Sequence, residues 1–155
     1  MFTFIEPFLT EHGLVTLFVV SFLAATLIPL GSEWLLILLL QQGGYHPTTL
    51  IAIAGFGNYL GSCTNYFIGL YGSEFLIKRI LRIDNNEMSR AKLFYARYGI
   101  WSLFFSWLPI IGDPLCVIAG IFKIRLPIFS ALVLSGKLVR YTIVSLITLQ
   151  LLSTS

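Results

Sequence analysis

The chain has 155 residues, of which 57% are hydrophobic and only 11% are charged, and its mean hydropathy is +0.87. Soluble domains carry about a quarter charged residues, so this composition excludes an ordinary soluble globular protein. The formal net charge of +3 does not indicate a nucleic-acid partner, because the basic residues cluster as they do at a membrane surface.

Four apolar stretches divide the chain, and each is long enough to enter a bilayer, whose core takes about 20 helical residues to cross. They lie at about 14–40, 50–70, 100–122 and 126–152. No linker or low-complexity tract separates them. We therefore predict an all-α integral membrane protein that forms a single membrane domain over residues 1–155.

The first apolar stretch is preceded by residues 1–13, which lack the basic segment of a secretory signal peptide, so we predict that the stretch is mature structure. These residues either form a short interfacial amphipathic helix or fray. Pro29 and Gly31 interrupt the stretch, because proline removes a backbone donor and glycine adopts conformations that end helices. The pattern predicts two helical limbs, 14–28 and 32–41.

An uninterrupted span is predicted over 50–71. Gly57 and Gly61 are four residues apart on one helix face and let another helix approach closely, either within this chain or in a homodimer. The span also carries polar side chains, which either make buried helix–helix hydrogen bonds or line a polar path: Asn58, Ser62, Thr64, Asn65 and Tyr66.

The strongly polar region of the chain, residues 72–98, holds six Lys or Arg residues and three Asp or Glu residues. Apolar residues between them predict amphipathic helices that lie on the membrane surface, with a turn at 84–86. We therefore assign this region as an amphipathic connection between two membrane-embedded halves.

A second interrupted stretch contains Pro109, Gly112 and Pro114. It predicts two limbs and a final span, which cover 99–108, 114–122 and 128–152. Asp113 followed by proline is typical of an N-cap with proline at the first helical position, so we predict that the second limb begins there.

The two interrupted stretches share their spacing, which indicates an internal duplication. Pro29 and Pro109 are 80 residues apart, as are Glu33 and Asp113. The predicted units are repeat 1 over about 14–71, the connection over 72–98, and repeat 2 over about 99–152.

Two topologies are compatible with this duplication. If both interrupted stretches crossed the bilayer, Lys123 and Arg125 would lie opposite the basic loop 73–97. If both turn back as re-entrant hairpins, all eight of these Lys and Arg residues share one face. The positive-inside rule favours the second topology and makes the 73–97 loop cytoplasmic. Each repeat is then a re-entrant helical hairpin followed by a transmembrane helix, and the repeats are inverted, as in secondary transporters.

This topology buries four ionisable residues deep in the membrane: Glu33, Asp113, Lys137 and Arg140. Each such charge costs about 2.5–3.5 kcal/mol on insertion scales, so we expect the acids to pair with the bases or to line water. Helix N-termini near the midplane attract anions, which makes a phosphate or carboxylate site possible. In the alternative interpretation the four residues are structural only, with Asp113 as a cap, Glu33 favoured by the helix dipole, and the two bases as counter-ions.

Other chemistries have weaker support. Cys63 and Cys116 form no metal-binding pattern and are expected to be packing residues. His12 and His46 are expected at the outer surface, so we predict no metal site and no cofactor. The hydrolase motifs GxSxG and HExxH are absent, which leaves a dyad of the intramembrane acids as the one open hydrolytic arrangement. We predict that the protein is not an enzyme.

Three groups of residues resemble motifs of the DedA family, whose domain is called VTT or SNARE-associated, and in particular its small YqaA-like branch. They are Pro29 to Glu33 with Gly31 between them, Gly57-x3-Gly61-x4-Tyr66-x2-Gly69, and Pro109 followed by Ala119-Gly120. The likeness covers roughly residues 13–152. One departure is that the family commonly has arginines at the positions of Ser106 and Gly112.

The resemblance implies a multi-pass protein of the bacterial inner membrane that translocates lipids or lipid phosphates in membrane homeostasis, with membrane lipids and protons as partners. In our hypothesis Lys137 and Arg140 hold the phosphate of a lipid or a small anion, while Glu33 and Asp113 exchange protons. The alternative is a structural or assembly membrane protein that binds lipid or a partner protein without transport.

Overall fold

The computed structural model describes residues 6–26, 32–72, 85–108 and 111–153. Every regular element within these ranges is a helix, in agreement with the all-α prediction. The elements are α1 (Glu6–Ala24), α2 (Glu33–Gln42), α3 (Pro47–Tyr71), α4 (Asn85–Tyr98), a 3₁₀ helix (Gly99–Trp107), α5 (Gly112–Ile121) and α6 (Leu126–Ser153). The predicted helix breaks at Pro29, Gly31 and Pro109 lie outside the described residues.

By length and composition, α6 is the one described helix that is long and apolar enough to cross a membrane. Its 28 residues correspond to about 42 Å at 1.5 Å per residue. Helix α3 has 25 residues, but its glycines and asparagines make it less apolar, and it does not meet the same criterion. Helix α2, one of the shorter apolar helices, begins after the predicted break at Pro29 and Gly31. Helix α5 begins at Gly112, so the predicted breaks at Gly112 and Pro114 were wrong: both residues lie in its first turn.

Two of the four predicted limbs begin at residues other than those predicted. They are the first limb of the first interrupted stretch and the second limb of the second one. Helix α1 runs without interruption from Glu6 to Ala24, so residues 6–13 neither fray nor form a separate helix. Helix α5 begins at Gly112 with Ile111 as its N-cap. The prediction of Asp113 as the N-cap was therefore wrong: Asp113 and Pro114 both lie in the first turn, where proline is tolerated because no intrahelical donor is needed.

The limb predicted over 99–108 is a 3₁₀ helix of nine residues. Gly99 has a φ of 59°, a left-handed conformation that lets glycine end α4 and redirect the chain. A 3₁₀ helix rises about 2.0 Å per residue, so the segment is longer than the α-helical limb that was expected. Gly136 of α6 lies directly against the carbonyl of Phe104, which brings the two backbones into contact.

Helix α3 contacts α1 through its two predicted packing glycines. A methyl group on Gly57 would lie 2.7 Å from the carbonyl oxygen of Phe18, and one on Gly61 would lie 2.5 Å from that of Phe22. Both distances are too short for a Cβ, so only glycine permits this approach. The increasing numbers on both helices show that α1 and α3 run parallel, and the contact is made within the chain.

Helix α5 lies on the far half of α3. Gly120 faces the backbone carbonyl of Tyr66, and Gly69 faces that of Val117. The Tyr66 hydroxyl donates to the carbonyl of Ile124, 2.6 Å away, just after α5 ends. Glycines on both helices therefore let α3 and α5 contact each other backbone to backbone.

Two apolar clusters form the core, and each is drawn mainly from one predicted repeat. The first consists of Leu17, Leu35, Leu36, Leu39, Leu40, Leu50, Ala54 and Tyr141. The second consists of Tyr66, Ala91, Leu103, Leu115, Cys116, Ile118, Ala119, Ile124, Phe129 and Val133. Tyr141 belongs to α6, in the second half of the chain, but it packs in the first cluster. Tyr66 belongs to α3, in the first half, but it packs in the second cluster. Each cluster therefore includes one tyrosine from the opposite half of the chain. Polar side chains occupy the space between the clusters.

A charged site between the two apolar clusters

An ion pair joins the start of α2 to the middle of α6. The Nη2 of Arg140 contacts the Oε1 of Glu33, and about one-fifth of each side chain is exposed, 20% and 18% respectively. Glu33 is the first residue of α2, where the partial positive charge of the helix N-terminus favours a carboxylate. Two of the four predicted site residues are therefore in direct contact.

Arg140 also holds the end of the 3₁₀ helix. Its Nη1 donates to the carbonyl oxygen of Trp107 over 2.8 Å. Carbonyls in the last turn of a helix lack an intrahelical donor, and the guanidinium offers five donors in a planar arrangement. One arginine of α6 thus connects the beginning of α2 with the end of the 3₁₀ helix, one element from each interrupted stretch.

Lys137 lies three residues before Arg140, on the same face of α6. Its side chain is only 3% exposed, and it makes no hydrogen bond or ion pair with another residue in the described part of the chain. The Asp113 carboxyl interacts favourably with Lys137 and then with Arg140, and unfavourably with Glu87. Asp113 is therefore within electrostatic range of both bases, although it contacts neither as Glu33 contacts Arg140.

Tyr141 forms a second polar connection beside the ion pair. Its hydroxyl shares a hydrogen bond with the Ser32 hydroxyl and accepts one from Asn58 Nδ2 at 3.1 Å. Ser32 precedes Glu33 and Tyr141 follows Arg140, so neighbouring residues on the same two helices make both contacts. The hydroxyl group of Tyr141 thereby joins α2, α3 and α6.

Sequence reasoning missed Ser32, Trp107 and Tyr141 as members of this site. Ser32 and Tyr141 each lie within an apolar stretch, next in sequence to a predicted charged residue. A hydroxyl group at such a position could have been predicted as part of the site. Trp107 contributes a backbone carbonyl, which no side-chain pattern reveals.

Six buried polar side-chain atoms have no hydrogen-bond partner among the described residues. They are Ser21 Oγ, Asn58 Oδ1, Asn65 Oδ1, Ser102 Oγ, Ser106 Oγ and Ser145 Oγ. Such groups cost about 1–3 kcal/mol each when they are left unpaired. The interior of the protein therefore contains buried polar groups as well as the charged residues of the site.

Gly112 and Pro114 position α5 beside this layer. A methyl group on Gly112 would collide with the carbonyl oxygen of Ser106, so the end of the 3₁₀ helix and the start of α5 can approach only at a glycine. Pro114 is buried in the first turn of α5.

In the described part of the chain no group of three or more His, Cys, Asp or Glu residues is arranged to hold a metal ion.

Residues 28–150 match the VTT domain. The inner membrane protein YqaA of Escherichia coli K12 and that of Shigella flexneri are each 38% identical to this chain over 139 residues, which cover 89% of this chain and 92% of theirs. An uncharacterized protein of Haemophilus influenzae Rd is 34% identical over 145 residues, which cover 89% of this chain and 88% of that protein. No solved structure matches the chain. Both the domain match and the similarity over nearly its whole length show that the chain belongs to the VTT-domain family, the DedA family of membrane proteins.

Proposed function

We propose that this protein is a translocase of the bacterial inner membrane that moves phosphate-bearing lipids between leaflets, with protons as the coupling ion. The observation that carries the proposal is the position of Arg140, which is shared between the Glu33 carboxylate and the Trp107 carbonyl beside the buried Lys137. Two cations on one helix face, balanced by two acids, suit an anion that binds and leaves.

The depth of the site supports this proposal. Arg140 is 14 residues from the start of α6 and 13 from its end, which is about 20 Å from either end at 1.5 Å per residue. An arginine at the centre of an apolar helix is costly in a bilayer and commonly marks a substrate or ion pathway. The relatives named YqaA are inner membrane proteins, which is the location we propose here.

The helix directions support inverted repeats with re-entrant hairpins. Gly13, in the first half of α1, faces Leu39 near the end of α2 and Tyr45 just beyond it, so α1 and α2 are antiparallel. In the proposed topology both hairpins turn back near the midplane, α3 and α6 cross in opposite directions, and the basic loop 73–97 is cytoplasmic.

In the proposed cycle a lipid phosphate competes with Glu33 for Arg140. Arginine binds phosphate oxygens in the same bidentate manner as carboxylate oxygens, so the anion can replace Glu33 without moving α6. Glu33 then takes a proton, which removes the charge that would otherwise be left unpaired. Lys137 supplies a second cation to the phosphate, and Asp113 balances Lys137 when the phosphate leaves.

This cycle also accounts for the departure of the chain from the family pattern. Ser106 stands where the family commonly has an arginine, and its neighbour Trp107 accepts the hydrogen bond from Arg140. The guanidinium of Arg140 therefore lies beside a position at which a cation is otherwise expected.

The test is headgroup movement in proteoliposomes that contain a fluorescent phosphate-bearing lipid. Glu33→Gln and Asp113→Asn should abolish movement, whereas Lys92→Gln, which alters an exposed residue of α4, should not. Movement is divided by the amount of folded protein inserted. Wild-type movement in both acid variants would remove the acids from the mechanism. Reduced folded yield with normal movement per folded molecule would show that the two acids are structural residues. No lipid movement by the folded wild-type protein would favour the structural membrane protein instead.

A further inference from the structure

Helix α4 turns its apolar face to the protein and a basic face outward. Ala91 is fully buried in the second apolar cluster, and Met88 and Tyr95 pack against that cluster. The Tyr95 ring is stacked on the ring of Phe122, just after α5, with 5.1 Å between the ring centres and 10° between the ring planes. The apolar face of this helix therefore contacts the protein itself, which leaves the outward face to meet another partner.

The outward face of α4 is formed by Arg90, Leu93 and Arg97, and we call it the arginine face. All three side chains are exposed, Leu93 to 72%. At 3.6 residues per turn they lie within about 60° of one another around the helix, and the two arginines are about 10.5 Å apart along its axis. Lys92 is also exposed, but it lies about 140–160° from the arginines, on the other side of the helix.

Aromatic side chains border the arginine face where α4 ends. The Arg97 guanidinium lies 5.7 Å from the centre of the Tyr98 ring, and Tyr98 is 46% exposed. Trp101, two residues after Gly99, is 72% exposed. Exposed tyrosine and tryptophan beside basic residues are typical of the boundary between the hydrocarbon core and the headgroups of a bilayer. We therefore expect this end of α4 at the level of the headgroups.

The charge of the arginine face favours an anionic partner. Helix α4 holds three basic residues and one acidic residue, Glu87, which lies in its first turn. Arginine binds phosphate oxygens through two parallel hydrogen bonds, and each basic residue near an anionic bilayer surface adds to the attraction. Phospholipids are the anions that a membrane protein meets at this level, so the charge and the aromatic border together favour lipid headgroups over an acidic protein.

We propose that the arginine face of α4 binds the headgroups of anionic phospholipids in the adjoining leaflet, with Arg90 and Arg97 on the phosphates and Leu93 between them. The inference rests on the membrane location of the family. It holds whether or not the protein moves lipid, because the bound lipid is a resident ligand and not the translocated substrate. The face is also distinct from the pair of Glu33 and Arg140, to which α4 contributes no residue.

The experiment compares phosphatidylglycerol with phosphatidylcholine, using versions of each that carry a diazirine close to the headgroup. The full-length protein is placed in nanodiscs that contain both lipids in equal amounts, with one of the two reactive, and is irradiated. Peptide mass spectrometry then gives the ratio of phosphatidylglycerol to phosphatidylcholine adducts on each segment. We expect this ratio to be higher on residues 85–98 than on residues 149–153, the uncharged end of α6. The excess should fall at high salt, which screens exposed charges.

Three single substitutions test the arginine face directly. Arg90→Gln and Arg97→Gln should each lower the adduct ratio on residues 85–98 about fivefold, the loss expected for one basic residue at an anionic surface. Lys92→Gln removes the same charge from the other side of α4 and should leave the ratio unchanged. All three side chains are exposed, so each variant should keep the wild-type Tm. The comparison of wild-type protein at low and high salt tests the proposal without any substitution.

Four other outcomes would overturn the proposal. An equal adduct ratio on residues 85–98 and 149–153 would show that the arginine face has no preference for anionic lipid. An equal loss in Lys92→Gln would show an effect of net charge and not of this face. Loss of selective labelling on addition of inorganic phosphate would assign the face to a soluble anion, and a lack of lipid adducts on it would assign it to an acidic protein. None of these results measures lipid movement, so failure of the proposed function is detected separately, in the proteoliposome assay.

Discussion

Breaking the ion pair between Glu33 and Arg140 should measurably loosen the packing of α2 on α6. Glu33→Gln keeps the size of the side chain but leaves Arg140 with the Trp107 carbonyl as its contact in this site. Removing one partner of a fully buried pair costs about 3–5 kcal/mol. Because each side chain is about one-fifth exposed, water offsets part of this cost, and we expect a loss of ~2–3 kcal/mol.

Arg140→Gln should cost more, because it also removes the hydrogen bond to Trp107. Hydrogen bonds from charged donors contribute about 1.5–3 kcal/mol, so a total loss of ~4–5 kcal/mol follows. The double variant should lose less than the sum of the two, with a coupling energy on the order of 1–3 kcal/mol, because the second substitution removes a charge that the first has already left unpaired.

The assay is thermal unfolding in detergent, followed by circular dichroism. For a chain of this size 1 kcal/mol shifts Tm by about 2–4 °C, so Glu33→Gln should lower Tm by roughly 4–12 °C. Lys92→Gln, at an exposed position of α4, is the control and should shift Tm very little. Losses for the two single variants that add to within about 0.5 kcal/mol would show that the pair is not coupled and would refute this reasoning.

Three further substitutions probe the surroundings of the pair. Gly120→Ala places a methyl group against the backbone of α3 and should cost about 1–3 kcal/mol of unfolding free energy. Gly44→Ala, at a position with no neighbour within 4 Å, is the control and should be neutral. Equal effects of the two substitutions in thermal unfolding would contradict this contact. Tyr141→Phe removes the hydroxyl that accepts a hydrogen bond from the buried Asn58 amide. It should lower the free energy of unfolding by about 1–3 kcal/mol in the same thermal unfolding assay. An unchanged Tm would exclude that hydrogen bond. Lys137→Met replaces a buried ammonium with an apolar chain and should abolish lipid movement in proteoliposomes while keeping or raising Tm, so retained movement would remove Lys137 from the proposed mechanism.

The charged site was largely accessible from sequence because a charge inside an apolar stretch is difficult to leave unpaired. Glu33 and Arg140 were predicted to find opposite charges from their depth alone, and the structure brings them into contact. Their separation of more than 100 residues gave no information about which acid would meet which base. That choice depends on α2 lying along α6, which is a property of the tertiary fold.

The backbone around the site was less predictable, since local preferences were overridden by close packing. The statistical preference for aspartate as an N-cap placed the start of α5 at Asp113, but Gly112 enters the helix and lies against the Ser106 carbonyl. The apolar run 99–108 carries no signal that separates a 3₁₀ helix from an α-helix. This distinction decides where the Trp107 carbonyl points, and therefore one of the two contacts of Arg140.

The exchange of tyrosines between the two apolar clusters explains why the polar layer is tolerated. Tyr141 completes the cluster of the first half and Tyr66 that of the second, so neither half buries its core without a helix of the other. The ring of each tyrosine contributes apolar burial, while its hydroxyl bonds across the boundary, to Ser32 in one case and to the Ile124 carbonyl in the other. Apolar contacts at the two ends of α3 and α6 thus hold the halves together, and the layer between them can carry charge without having to supply the packing.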